Sequence, residues 1–326
     1  MRGTRSPGIL LKFALAGLAA AVVPVAITTG TAEAATPVPI SAPGTYASDP
    51  ASTPAGSKHT RALGGAITVA AGQTHYLSSK LNLSGAEEVT EVSHLVYCRR
   101  PGQTTNVAQL VTGQNVLTGA STTLLTRGFV TAPTDSSLTC AVYAQFVNHH
   151  ANVAGRVTVL SSSYLQDVYG AVSSVSQTFN GKTLVNSSLS ANIVNYTAPA
   201  GATSVQAIGD LNITVCYGPD DNGLCVHSAG ARMDGADSLV GTQLVANQLD
   251  QDGSVCHTTT NGALAGVYVT STVHHFKINT WITDVPVLAT CTSRNFVVYT
   301  RVTANAAHNS FVVEANNQSV GAAFAV

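Results

Sequence analysis

Residues Val267–Ile282 read VYVTSTVHHFKINTWI, and the alternation within them decides the fold class. On an extended chain successive side chains point to opposite faces. Phe276, Ile278 and Ile282 therefore share one face, and Lys277, Asn279 and Trp281 share the other. Branched and aromatic side chains of this kind pack well on a pleated surface. Working outward, the same vocabulary recurs in short runs broken by Gly, Asn and Pro. Strands are predicted at His75–Leu83, Glu91–Tyr97, Ser121–Thr131, Leu138–Val147 and Arg156–Leu160. Further strands are predicted at Thr183–Leu189, Ile208–Tyr217, Leu239–Ala246, Val267–Ile282, Asn295–Thr303 and Ser310–Glu314. No window of a dozen residues carries a helical stripe. The expected fold is all-β: two tandem β-sandwich-like domains of antiparallel sheets, stapled by disulfides.

The chain opens with an address. Arg2, Arg5 and Lys12 form a positive segment, Phe13–Ile27 is apolar, and Ala32-Glu33-Ala34 offers a small-residue cleavage site. Residues 1–34 thus read as a cleaved signal peptide. Its Ala-rich length resembles export signals of high-GC Gram-positive bacteria, which implies a bacterial, secreted, extracellular protein. No other stretch is long and apolar enough to cross a bilayer, so no transmembrane anchor is expected. Residues 35–62, rich in Pro, Ser and Thr, read as a flexible leader. The first β domain is then placed at 63–170 and the second at 171–326, with an acidic insertion near 217–256.

Only 10% of residues are charged. Without Arg2, Arg5, Lys12 and Glu33 the remaining 292 residues hold 12 bases against 15 acids, a net charge of −3. Nothing there attracts phosphates, and nucleic acid is excluded as an expected partner.

Six cysteines follow the signal segment: Cys98, Cys140, Cys216, Cys225, Cys256 and Cys291. An even count in an exported chain reads as three disulfides. A faint internal duplication suggests the pairing. SSKLNLSG…EVSHLVYC, ending at Cys98, parallels NSSLSANI…DLNITVC at Cys216, and FVTAPTDSSLTC at Cys140 parallels WITDVPVLATC at Cys291. The expected set is Cys98–Cys140, Cys216–Cys291 and a nested Cys225–Cys256. The rival set joins Cys216 to Cys225 and Cys256 to Cys291.

Catalytic signatures are missing: there is no GxSxG elbow, no HExxH, and no glutamate pair in a readable context. No catalytic residue, cofactor or metal site is therefore assigned. Asp250-Gln251-Asp252-Gly253-Ser254 resembles the opening of a calcium loop, but lacks a third alternate ligand and a closing Glu, so calcium is only an alternative to solvated turns. His149-His150 and His274-His275 are adjacent pairs, which on a strand point apart and cannot chelate one metal. Trp281, on the polar face of its strand, is a candidate contact for a sugar ring or a protein. The candidate binding residues are Trp281, Asp220, Asp221, Asp250 and Asp252, with Tyr217–Gln251 as the favoured region. The expected function is a secreted, non-catalytic binding or cell-surface protein whose partner is an extracellular protein or a glycan. The alternatives are an inhibitor of secreted proteases and a hydrolase with a dispersed site.

Overall fold

Short runs of Val, Leu, Thr and Tyr between Gly and Asn turns give strands and almost no helix in the computed structural model, which describes residues 35–50, 60–89, 91–148, 155–217, 223–228, 230–235 and 237–325. The signal segment lies outside the described residues. The first strands are β1 (Val38–Pro39), β2 (Gly44–Ala47), β3 (Asp49–Pro50), β4 (Arg61–Val69), β5 (Thr74–Glu87) and β6 (Glu91–Arg99). They are followed by β7 (Asn106–Asn115), β8 (Thr122–Thr131), β9 (Leu138–Asn148), β10 (Arg156–Val159) and β11 (Tyr164–Ala171). Next come β12 (Val175–Asn180), β13 (Thr183–Val185), β14 (Ser188–Thr197), β15 (Ser204–Val215) and the single-turn helix α1 (Gly223–His227). The chain closes with β16 (Asp237–Leu249), β17 (Val255–Thr260), β18 (Ala265–Thr270), β19 (His275–Pro286), β20 (Asn295–Ala304), β21 (Phe311–Val313) and β22 (Asn316–Phe324).

These strands build four sheets, antiparallel except where β3 runs parallel to β9. In sheet A the long β5 pairs with β8 on one side and with β10 and β11 on the other, and β2 and β1 extend them. In sheet B, β6 lies between β7 and β9, and β9 carries β3 and β4. Sheet C repeats the plan of sheet A: β15 pairs with β19 and with β21 and β22, extended by β13 and β12. Sheet D repeats that of sheet B, with β16 between β20 and the broken pair β17 and β18, and β14 beyond β20. The internal duplication is therefore visible as strand order.

Sheets A and B enclose one core, in which Leu77, Leu81 and Leu124 of sheet A meet Val92, Val96 and Phe146 of sheet B. Sheets C and D enclose another, with Leu211 and Ile213 facing Val240 and Val302. Inside the first core His94 is fully buried between two hydroxyls, Ser79 Oγ at 2.9 Å from Nε2 and Thr126 Oγ1 at 2.9 Å from Nδ1. Ser79 gives its own proton to the Tyr164 carbonyl at 3.0 Å, so it accepts from Nε2–H. Burial pushes the imidazole down to about 3.

Sheet A also packs on sheet C. Tyr76 and Phe129 of sheet A join Ile208, Ala322 and Phe324 of sheet C in an aromatic cluster. Beside it Arg127 makes a bidentate pair with Asp210, Nη2 to Oδ1 at 2.7 Å and Nε to Oδ2 at 3.0 Å, both side chains almost wholly buried. Losing one member of such a pair strands a buried charge and typically costs about 3–5 kcal/mol.

Two expectations are corrected. Residues 35–50 are not a loose leader: β1 and β2 complete the edge of sheet A, Ile40 is buried, and Tyr46 stacks on Phe146 at 5.8 Å. The disulfides are Cys98–Cys140, as expected, then Cys216–Cys225 and Cys256–Cys291 in place of the nested pair. Cys216 leaves β15 in sheet C and meets Cys225 on α1 after nine residues. Cys291 precedes β20 and bridges to Cys256 on β17, within sheet D and its turns.

Candidate functional site

β15 reads SVQAIGDLNITV, a clean alternation, and every residue after Ser204 is buried. Val205, Ala207, Leu211 and Ile213 face sheet D. The opposite row, Gln206, Ile208, Asp210, Asn212 and Thr214, faces sheet A and the gap beside it. A polar row that would normally meet water is covered by the docking of the two sheet pairs. Where that docking ends, at Asn212 and Thr214, it leaves a cleft of about 430 Å³.

One wall of the cleft is Glu91 and Gly113, from β6 and β7 of sheet B. The other is built from sheet C and its turns, with Lys182, Tyr217, His274, His275, Glu314 and Gln318. At its floor Asn212, only 1% exposed, donates from Nδ2 to Gln318 Oε1 at 3.1 Å. Asn212 Oδ1 is buried without a hydrogen-bond partner. Lys277 lies beneath, its Nζ donating to the Gln318 carbonyl at 2.6 Å, and burial lowers its ammonium to about 8.

A polar chain crosses the sheet C wall. Thr214 Oγ1 donates to Glu314 Oε1 at 2.7 Å and so accepts from His275 Nδ1–H at 2.8 Å. Lys182 Nζ stands 3.7 Å from Glu314 Oε2. At the rim the Tyr217 ring is 41% exposed and lies 5.3 Å from the His274 ring.

The adjacent histidines were expected to point apart. His274 precedes β19 and only His275 is in the strand, so the alternation rule does not bind them. Both line the cleft, with ring centroids 4.3 Å apart. Among the described residues no three His, Cys, Asp or Glu side chains converge to hold a metal.

The sequence-nominated residues fall elsewhere. Trp281 is half-buried at the sheet A–sheet C junction, edge-on to Tyr76 at 5.8 Å and under the Arg127 guanidinium at 5.0 Å. It packs against the aromatic cluster at that junction. Asp250 and Asp252 shape the exposed β16–β17 turn: Asp250 Oδ1 accepts from Thr292 N at 2.7 Å, and Asp252 Oδ1 from Ser254 Oγ at 2.7 Å. The Ser254 hydroxyl and amide hold Asp252 below the usual carboxylate range. Asp220 and Asp221 lie outside the described residues. Among the described residues of the favoured region, Tyr217 alone lines the cleft.

No family model and no curated protein matches the chain. Among solved structures, the VP2 subviral particle of infectious bursal disease virus is 11% identical, with 93% of this chain and 75% of that chain covered and a TM-score of 0.29. The tandem CBM22-1–CBM22-2 domain of Xyn10C from Paenibacillus barcinonensis is 12% identical, with 91% of this chain and 99% of that one covered and a TM-score of 0.27. Likenesses of this degree do not bear on what the chain binds.

Proposed function

We propose that this chain is a secreted, non-catalytic binding protein that holds an extracellular ligand in the cleft between sheet B and sheet C. The observation that carries the reading is the Asn212 carbonyl oxygen, stripped of water at the floor of a polar cleft and without a donor. Buried polar atoms are nearly always partnered, and this orphan beneath the cleft leaves an acceptor whose hydrogen bond is unmet. The same reading takes residues 1–34 as the export signal and the two sheet pairs as two domains meeting near 171–174. Three disulfides suit a protein that works outside the cell.

Gly113 supplies the test. A Cβ built there meets nothing closer than Glu91 Oε1 at 4.0 Å, and its backbone is ordinary for any residue. Gly113→Tyr should therefore fill the cleft while leaving the sheets intact. Wild-type protein incubated with purified cell-wall and polysaccharide fractions should leave the supernatant, and Gly113→Tyr should stay in it with an unchanged circular dichroism spectrum. No soluble product should be released. Product release that ends on replacing His275 or Glu314 would overturn the non-catalytic reading.

A further inference from the structure

We infer that the ligand of this cleft is a neutral glycan segment of about two sugar rings, a size consistent with the volume of the site. The inference rests on the cleft being the binding site and adds the chemical class of what enters it.

Ligand pockets for apolar molecules are lined chiefly by hydrophobic side chains with a few polar groups. This one has the reverse make-up. Carboxylates (Glu91, Glu314), amides (Asn212, Gln318) and a hydroxyl surround a single aromatic rim residue, Tyr217. A sugar ring matches such a set, since its hydroxyls both donate and accept while its C–H face lies on an aromatic ring. The orphaned Asn212 oxygen requires a donor, which each sugar hydroxyl supplies. Its amide is held in one orientation by Gln318, which is itself anchored through its backbone carbonyl to Lys277. The acceptor is therefore set in place before the ligand arrives, which limits the ordering cost of binding.

Charge narrows the class. Glu91 and Glu314 line the cleft with Lys182, whose ammonium faces Glu314, while the Lys277 ammonium beneath the floor is turned to the Gln318 carbonyl. Phosphate, sulfate or uronate groups would meet two carboxylates, so an anionic ligand is disfavoured. An extended peptide would need a free strand edge or a row of apolar pockets, and the cleft walls offer Tyr217 alone.

Titration calorimetry on the full mature chain tests this. The probes are short cello-, xylo-, manno- and chito-oligosaccharides, oligogalacturonate as the anionic comparison, and a peptide digest. At least one neutral series should give saturable heat, and oligogalacturonate none. Tyr217→Ala should weaken binding about tenfold through lost stacking, and Asn212→Leu about tenfold or more through the lost buried hydrogen bond. Gly113→Tyr should abolish it. If Asn212→Leu fails to fold, Tyr217→Ala and Gly113→Tyr at the rim and wall carry the test. Heat from oligogalacturonate or the peptides alone, removed by Gly113→Tyr, would overturn the glycan class and leave the cleft reading standing. Glycan heat unaffected by Gly113→Tyr would overturn the site itself. No heat from any probe would overturn the inference.

Discussion

His94 shows what one buried side chain does to the stability of this fold. Its ring is neutral, with Nε2–H given to Ser79 and Nδ1 accepting from Thr126. Protonation would place a cation among Leu and Val side chains. The pKa is about 3 folded against an ordinary 6.5, so between those values the unfolded chain binds a proton that the folded one refuses. Stability contributed by this group is whole above pH 6.5 and falls as pH drops toward 3, by on the order of 4 kcal/mol across the window. Urea unfolding from pH 7 to pH 4 should show a falling midpoint, and His94→Gln should flatten that slope. An unchanged slope in the variant would place the acid sensitivity elsewhere. None of this was legible in the sequence, where His94 is one histidine of ten. Trp281 holds the polar-face position its alternation gives, and there it packs against the aromatic cluster of sheets A and C.

At the scale of elements, alternation located most strands and blurred where they end. Val267–Ile282 read as one strand, yet Ser271–His274 turn the chain between β18 and β19. The strands missed altogether, such as β12 and β22, are rich in polar and small residues. Their place is set by partners, as β22 is held between β12 and β15. The cysteine pairing went wrong by one strand. The Cys98 strand, β6, was aligned with the Cys216 strand, β15, whereas the shared strand order makes β5 the counterpart of β15 and β6 that of β16. Cys98–Cys140 and Cys256–Cys291 each stay within sheet B or sheet D and its turns, but Cys256 sits on β17, the counterpart of β7 and not of β6, so the two bridges are not equivalent. Chain entropy then ranks the bridges. The separations of 42 and 35 residues outweigh that of nine, about 4 kcal/mol each against about 2.5 kcal/mol. Paired Cys→Ser variants, unfolded in urea, should follow that order. Non-reducing peptide mapping that joined Cys216 to Cys291 would refute the assignment.

The whole molecule supplies what neither residue nor strand could. Glu91 and Gly113 are far in sequence from Asn212, Tyr217 and Glu314, and only the docking of the first sheet pair on the second brings them to one cleft. The Arg127–Asp210 pair and the Tyr76–Phe324 cluster hold that docking. A single sequence shows the strands but not the contact between the sheet pairs, so Asp250 and Asp252 lie on a turn and Trp281 in the junction. The cleft predicts that a ligand touches both sheet pairs at once. Hydrogen exchange with mass spectrometry, with and without a saturating neutral oligosaccharide, reads this directly, because a bound ligand slows local opening. Exchange should slow together in peptides spanning 91–95, 112–115, 210–217 and 314–319. Protection confined to one sheet pair, or to the outer face of sheet D, would contradict the account.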